Sequence, residues 1–253
     1  MRWILDFFRT IFTWAVGVAA TVVAAPLVLI IAAFRPMSPS IDGIIRTWSR
    51  LWLLASGTRL TVEGEQNIDP DRSYVVVVNH LSTLDIMTCF LSVPVPIRFL
   101  AKKELFQIPV FAQAMRAVGI IEVDRSARSA VHAKVNEQAE QLIAAKRSLI
   151  IFPEGTRPRD GAMRPFKKGA FTMAISGQLP IIPLTIHGSY EAFPPGREWI
   201  HGGHITAYID PPIETAGLSQ ADTGKLRDQA YEIVSRRVRA FGGTIAGEGG
   251  SDG

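Results

Sequence analysis

Residues 79–85, NHLSTLD, set an amide, an imidazole and, five positions past the histidine, a carboxylate directly after four valines. A carboxylate that accepts from one ring N–H of His80 leaves the other nitrogen as a base. The same spacing also suits a helix start, with Ser82 as N-cap and Asp85 at N3 in a capping-box variant. Spacing alone leaves both readings open. The chain has no G-x-S-x-G turn, and its single cysteine, Cys89, lies in the apolar stretch that follows, where an inert buried thiol is expected. A His–Asp pair with no obvious serine or cysteine nucleophile suits activation of a hydroxyl on the substrate.

A second polar cluster runs through FPEGTRPRDGAMRPFKKGAF, residues 152–171. Glu154, Gly155, Thr156 and Arg157 follow an apolar run, and Arg159, Arg164, Lys167 and Lys168 come soon after. Guanidinium forks and backbone amides at a glycine turn favour a phosphate ester, and the helix start at FKKGAF adds positive potential. Lys102 and Lys103 stand at another strand end, as do Asp124 and Arg125. The alternative for the whole cluster is a solvated basic loop. His201 and His204 in HGGH lack a third ligand in their own segment, so no metal site is expected.

These residues need a frame, and the pattern from residue 57 onward supplies one. Short β-rich runs at 58–64, 73–80, 97–102, 119–124, 148–155, 179–188 and 204–210 alternate with helical stretches at 82–91, 109–118, 127–146 and 169–176. That alternation predicts an α/β domain over residues 57–241, with a largely parallel central sheet covered by helices and its polar turns at the strand ends. Residues 219–241 read as a closing amphipathic helix. The glycine-rich tail, 242–253, has too little apolar content to pack and is expected to be disordered.

Residues 1–56 read as hydrophobic membrane-anchoring helices. No charged side chain occurs between residues 10 and 34, a run long enough to cross a hydrocarbon core of roughly 30 Å. It is too long for a cleaved signal, and Pro26 leaves open a single span or a kinked, re-entrant pair. Residues 41–57 read as an amphipathic helix carrying Trp48 and Trp52, either at a lipid interface or packed on the domain. Arg2, Arg9, Arg35, Arg46 and Arg50 lie where anionic headgroups would meet them. The chain has 253 residues, 47% of them hydrophobic, and a net charge of +4. Its cations form no run with interleaved aromatics, so nucleic acid is not an expected partner.

In order and spacing, NHLSTLD, GIIEVDR (119–125), FPEGTR (152–157) and LPIIPL (179–184) resemble the four blocks of the glycerolipid acyltransferases, above all bacterial lysophosphatidate acyltransferases. The resemblance spans residues 57–212. It implies transfer of a fatty acyl group from acyl-CoA or acyl carrier protein to the free hydroxyl of lysophosphatidic acid, with no metal or organic cofactor. It further implies His80 as general base and Asp85 as its orienting partner. Asn79, Lys103, Arg125, Glu154, Gly155, Thr156 and Arg157 become the candidate substrate contacts. The implied location is the inner membrane, with the site facing the cytoplasm. Glu122, Pro158 and the Phe111-Ala112-Gln113 segment depart from the usual blocks and bear on which acceptor fits. Other lysolipids, glycerol 3-phosphate or a non-catalytic lipid-binding role are the alternatives.

Overall fold

A computed structural model describes residues 2–123, 141 and 144–247. Seven strands form one sheet in the order β1-β7-β6-β2-β5-β3-β4. They are β1 (Thr58–Glu63), β2 (Val75–Val78), β3 (Ile97–Lys102), β4 (Ile121–Val123), β5 (Ser148–Ile151), β6 (Ile181–His187) and β7 (Gly203–Ile209). All neighbours pair in parallel except β6 and β7, so the largely parallel sheet expected from the alternation is present. The predicted helix at 127–146 falls almost wholly outside the described residues.

The four valines of β2 show why an unbroken apolar run suits a central strand. Val76 and Val78 enter a core with Trp52, Leu53, Leu84, Met87 and Phe90, whereas Val75 and Val77 face Phe171, Leu226 and Val234 on the other side. Both faces of the strand are therefore dry. One face is covered by α2 (Pro39–Ala55) and α3 (Leu84–Ser92). The other is covered by α5 (Gly169–Ser176) and α7 (Thr223–Ala240); the described residues also form α4 (Phe111–Val118) and the short α6 (Ser189–Ala192).

The first helix, α1 (Arg2–Phe34), runs through Pro26 without a break, so the re-entrant pair is not formed. Its 33 residues extend about 50 Å. Small and polar residues line its inner face: Thr10, Thr13, Gly17, Ala25 and Val28 are buried, while Phe8, Phe12, Val18, Val22 and Ile30 are exposed. This is the reverse of a water-soluble amphipathic helix. The inner face is fastened along its length. His201 Nδ1 meets Asp6 at 2.8 Å, Arg9 donates to the His201 carbonyl, and Ile200 N–H donates to Thr10 Oγ1 at 2.8 Å. Further along, Thr13 Oγ1 donates to the Ala55 carbonyl at 2.9 Å and Trp48 Nε1 to Thr21 Oγ1 at 2.9 Å.

The two α2 tryptophans thus face α1, which decides for packing over an interfacial role. Gly17 allows this, since a Cβ there would lie 2.1 Å from the Trp52 ring. Of the cations assigned to headgroups, Arg9 is engaged as above and Arg46 donates to the Val93 carbonyl at 2.5 Å. An ion cluster with both arginines buried ties the first turn of α2 to the sheet: Arg98 and Arg147 both donate to Asp42, at 2.8 and 2.7 Å.

The tail departs from expectation. Met163 N–H donates to the Thr244 carbonyl and Ala246 N–H to the Met163 carbonyl, each at 2.9 Å, and Ile245 is buried. One isoleucine suffices because Gly242, at φ 76, turns the chain back under the loop that carries Met163, where Ile245 joins the core around Phe166 and Val238. Residues 248–253 lie outside the described residues.

Candidate active site

The carboxyl ends of β2, β3 and β5 open on the same side of the sheet, where parallel α/β folds gather their reactive groups. Asn79 leaves β2 first. Its amide donates to the Ile186 carbonyl and its oxygen accepts from the Ile186 N–H, both at 2.8 Å, and the residue is wholly buried. Asn79 therefore pins the turn to β6, and its assignment as a substrate contact is withdrawn because both of its polar groups are spent on backbone.

His80 follows with its ring stacked on Phe152, centroids 3.8 Å apart and planes at 14°. Its Nδ1 lies 2.9 Å from Asp85 Oδ2, and its side chain is 13% exposed. A carboxylate only accepts, so Nδ1 is the donor of this contact and Nε2 is the ring nitrogen left open. Among the described residues Nε2 has no hydrogen-bond partner. The same Asp85 oxygen accepts from the N–H groups of Leu81 and Ser82, both at 2.8 Å. The helix starts at Leu84, later than the capping-box reading has it, and Ser82 Oγ accepts from the Leu84 N–H at 3.2 Å while donating to the Phe193 carbonyl. Holding the turn and orienting the imidazole are one arrangement.

Glu154, expected as a substrate contact, also proves structural. Its two oxygens accept from the His80 N–H at 2.7 Å and the Arg164 N–H at 2.8 Å, joining the two polar turns. Burial pushes its carboxyl up to about 8, against the lowering effect of those two amides. The folded state thus holds this proton more tightly than the unfolded chain does. The stabilisation linked to it is complete below the unfolded carboxyl's range, near 4.3, and is lost as pH rises through about 8. We predict that the urea midpoint of the wild type falls relative to Glu154→Gln between pH 5 and pH 9. Parallel curves for the two proteins would refute the assignment.

Arg157 is exposed and donates to Thr83 Oγ1 at the start of α3. Gly155 turns with φ 80, and Lys167 Nζ approaches so closely that it would lie 2.7 Å from a Cβ placed there. Thr156 is exposed beside them, and Lys103 begins the 3-10 turn Lys103–Gln107 at the end of β3. Arg125 lies outside the described residues. Glu122 pairs with Arg116 at 3.2 Å on the surface. Sequence reasoning missed three supports: the Phe152 stack, the Thr83 contact of Arg157 and the approach of Lys167 to Gly155. An aromatic side chain just before PEGTR was the one available signal.

Cys89 is fully buried, and burial pushes its thiol well above its usual range, which leaves it inert. His201 and His204 are committed to Asp6 and to Thr61 Oγ1, the latter at 2.7 Å. What remains is a base with an open nitrogen beside exposed cations at the mouth of an α/β sheet. Such an arrangement can take the proton of a substrate hydroxyl held next to an anion. Comparison with known proteins narrows the class: residues 59–187 match the Acyltransferase family model, and the chain belongs to that family. It is 31% identical over 196 residues to 1-acyl-sn-glycerol-3-phosphate acyltransferase alpha of Homo sapiens, covering 78% of this chain and 69% of that protein. The Mus musculus counterpart is 35% identical over 198 residues, covering 78% and 68%. The crystal structure of the 1-acyl-sn-glycerophosphate acyltransferase PlsC from Thermotoga maritima superposes with a TM-score of 0.82 at 27% identity, over 96% of this chain and 98% of that one.

Proposed function

We propose that the protein transfers a fatty acyl group from a thioester donor, acyl-CoA or acyl carrier protein, to the free sn-2 hydroxyl of 1-acylglycerol 3-phosphate, giving phosphatidic acid. One observation carries the reading. Arg157 is tied to Thr83, so the phosphate-seeking guanidinium and the His80–Asp85 pair share one helix start. An acceptor whose phosphate reaches Arg157 presents a neighbouring hydroxyl to the base.

The reaction follows from the geometry. His80 Nε2 takes the hydroxyl proton while the oxygen attacks the thioester carbonyl carbon, and Asp85 stabilises the imidazolium that forms. The tetrahedral intermediate collapses by breaking the carbon–sulfur bond, and the imidazolium returns its proton to the departing thiolate. Arg157, Thr156 and the Gly155 turn hold the phosphate, with Lys103 and Arg125 as further contributors. The ring stack on Phe152 keeps the imidazole plane fixed throughout.

The membrane reading rests on α1. Its inner face is bonded to the domain from Asp6 to Thr21 and packed there as far as Val28, so the helix cannot stand upright through a bilayer without taking the domain with it. It lies along the domain with Phe8, Phe12, Val22 and Ile30 outward, as a monotopic anchor in one leaflet. In our reading that leaflet is the cytoplasmic one of the inner membrane.

The test is a detergent assay offering both donors against a panel of lysolipids. Phosphatidic acid should form, and Arg157→Ala should raise the KM for lysophosphatidic acid about ten- to a hundredfold, the worth of one charged hydrogen bond. A lysolipid whose phosphate is masked as a diester should be affected far less. No transfer to any lysolipid by the folded protein would sink the proposal.

A further inference from the structure

Residues 103–110 leave the active-site end of β3 and turn three aliphatic side chains outward. Leu105 is 40% exposed, Ile108 49% and Val110 49%, while Phe106 between them is buried against Ala112 and Met115. The backbone makes a γ-turn there. Val110 stands at φ 64 and ψ −51, and Phe111 N–H donates to the Pro109 carbonyl at 2.7 Å. A β-branched residue at positive φ is strained, and this form of γ-turn is rare. Exposed aliphatic surface and a strained valine are separate costs that water does not offset.

We infer that this loop is a second membrane contact, which seats Ile108 and Val110 in the bilayer interface beside the mouth of the active site. The loop is joined to the anchor through α4. The turn opens α4, whose Ala114 and Val118 share a buried cluster with Ala25 and Val28 of α1. The chemistry around it is that of a lipid-facing rim. Lys102 is exposed at the end of β3, placed to meet anionic headgroups once the aliphatic tip inserts, while the exposed Arg116, paired with Glu122, lies over the Phe106 ring at 5.1 Å. The consequence is directional. The loop ends β3 at the reactive edge of the sheet, so its insertion brings the bilayer to the base and spares a lysolipid any passage through water. The inference rests on reading α1 as a membrane anchor.

Three single-cysteine additions test it in the full chain, with the native Cys89 left in place because it is buried: Ile108→Cys on the loop, Val22→Cys on the outer face of α1 and Lys225→Cys on α7. Each is labelled with an environment-sensitive dye and mixed with vesicles of phosphatidylcholine and phosphatidylglycerol. Blue-shifted, brighter emission at positions 22 and 108, with none at 225, supports the inference. A response at 22 but not at 108 overturns it and leaves the anchor standing. Silence at both overturns the anchor and this loop together. A response at 108 that follows protein concentration without vesicles identifies a second copy as the occupant, which also overturns it. In a second measurement, Ile108→Ser with Val110→Ser should raise KM about tenfold for a long-chain acceptor held in vesicles. A water-soluble short-chain acceptor should be unaffected, and equal losses on both would reduce the loop to a structural part.

Discussion

His80→Ala lowers turnover by about 10²- to 10⁴-fold, the range that general-base assistance supplies, while the melting temperature stays near that of the parent. The two halves of this result have separate causes. Activity falls because no other base with an open nitrogen stands at the end of β2 among the described residues. Stability holds because the backbone N–H of residue 80, which alanine keeps, still donates to Glu154, and Asp85 still accepts from Leu81 and Ser82. The main structural loss is the ring stack on Phe152. Steady-state kinetics and calorimetry on the same preparation decide the matter, and near-parental turnover would end the mechanism.

Asp85→Ala behaves differently, because its single oxygen Oδ2 serves three donors in a buried turn. Alanine leaves two buried backbone N–H groups without an acceptor, each costing about 1–3 kcal/mol. For a chain of this size the melting temperature then drops on the order of ten degrees. Turnover drops as well, since the imidazole loses both its tautomer and its orientation. Asp85→Asn separates the effects: its oxygen can still accept from the two amides, so part of the stability returns, but the charge that supports the imidazolium is gone. We expect the asparagine variant to stay at least about 10²-fold below the parent in kcat. Full activity in the asparagine variant would show that Asp85 caps the turn and does nothing more.

His80 and Asp85 were legible from NHLSTLD because a five-residue separation across a helix start brings imidazole and carboxylate together with little help from the rest of the chain. All seven strands were legible for a similar reason, being local runs bounded by turn residues. What failed was mostly long-range. Asn79 and Glu154 look like ligands in sequence, yet their partners, Ile186 and Arg164, sit on other segments that only the folded sheet brings near. The tail looked unable to pack because one isoleucine among glycines carries little apolar surface, and nothing local reveals the gap beside Met163 that it fills. In α1 the apolar run was plain. Its orientation was not, since hydropathy cannot tell which face of a mostly apolar helix turns outward and which meets Ile200 and Ala55.

The bond from Ile200 to Thr10 joins residues 190 positions apart. During synthesis at about 5–20 residues per second, α1 therefore exists for about 10 to 40 s before its partner segment has been made. Through that interval Thr10 lacks its partner on the domain, although Thr13 and Thr21 can already meet α2, and the outer face of α1 is complete as soon as the helix forms. If α1 anchors the protein as proposed, the catalytic domain is completed against a helix that can already meet lipid, and attachment can precede the end of folding.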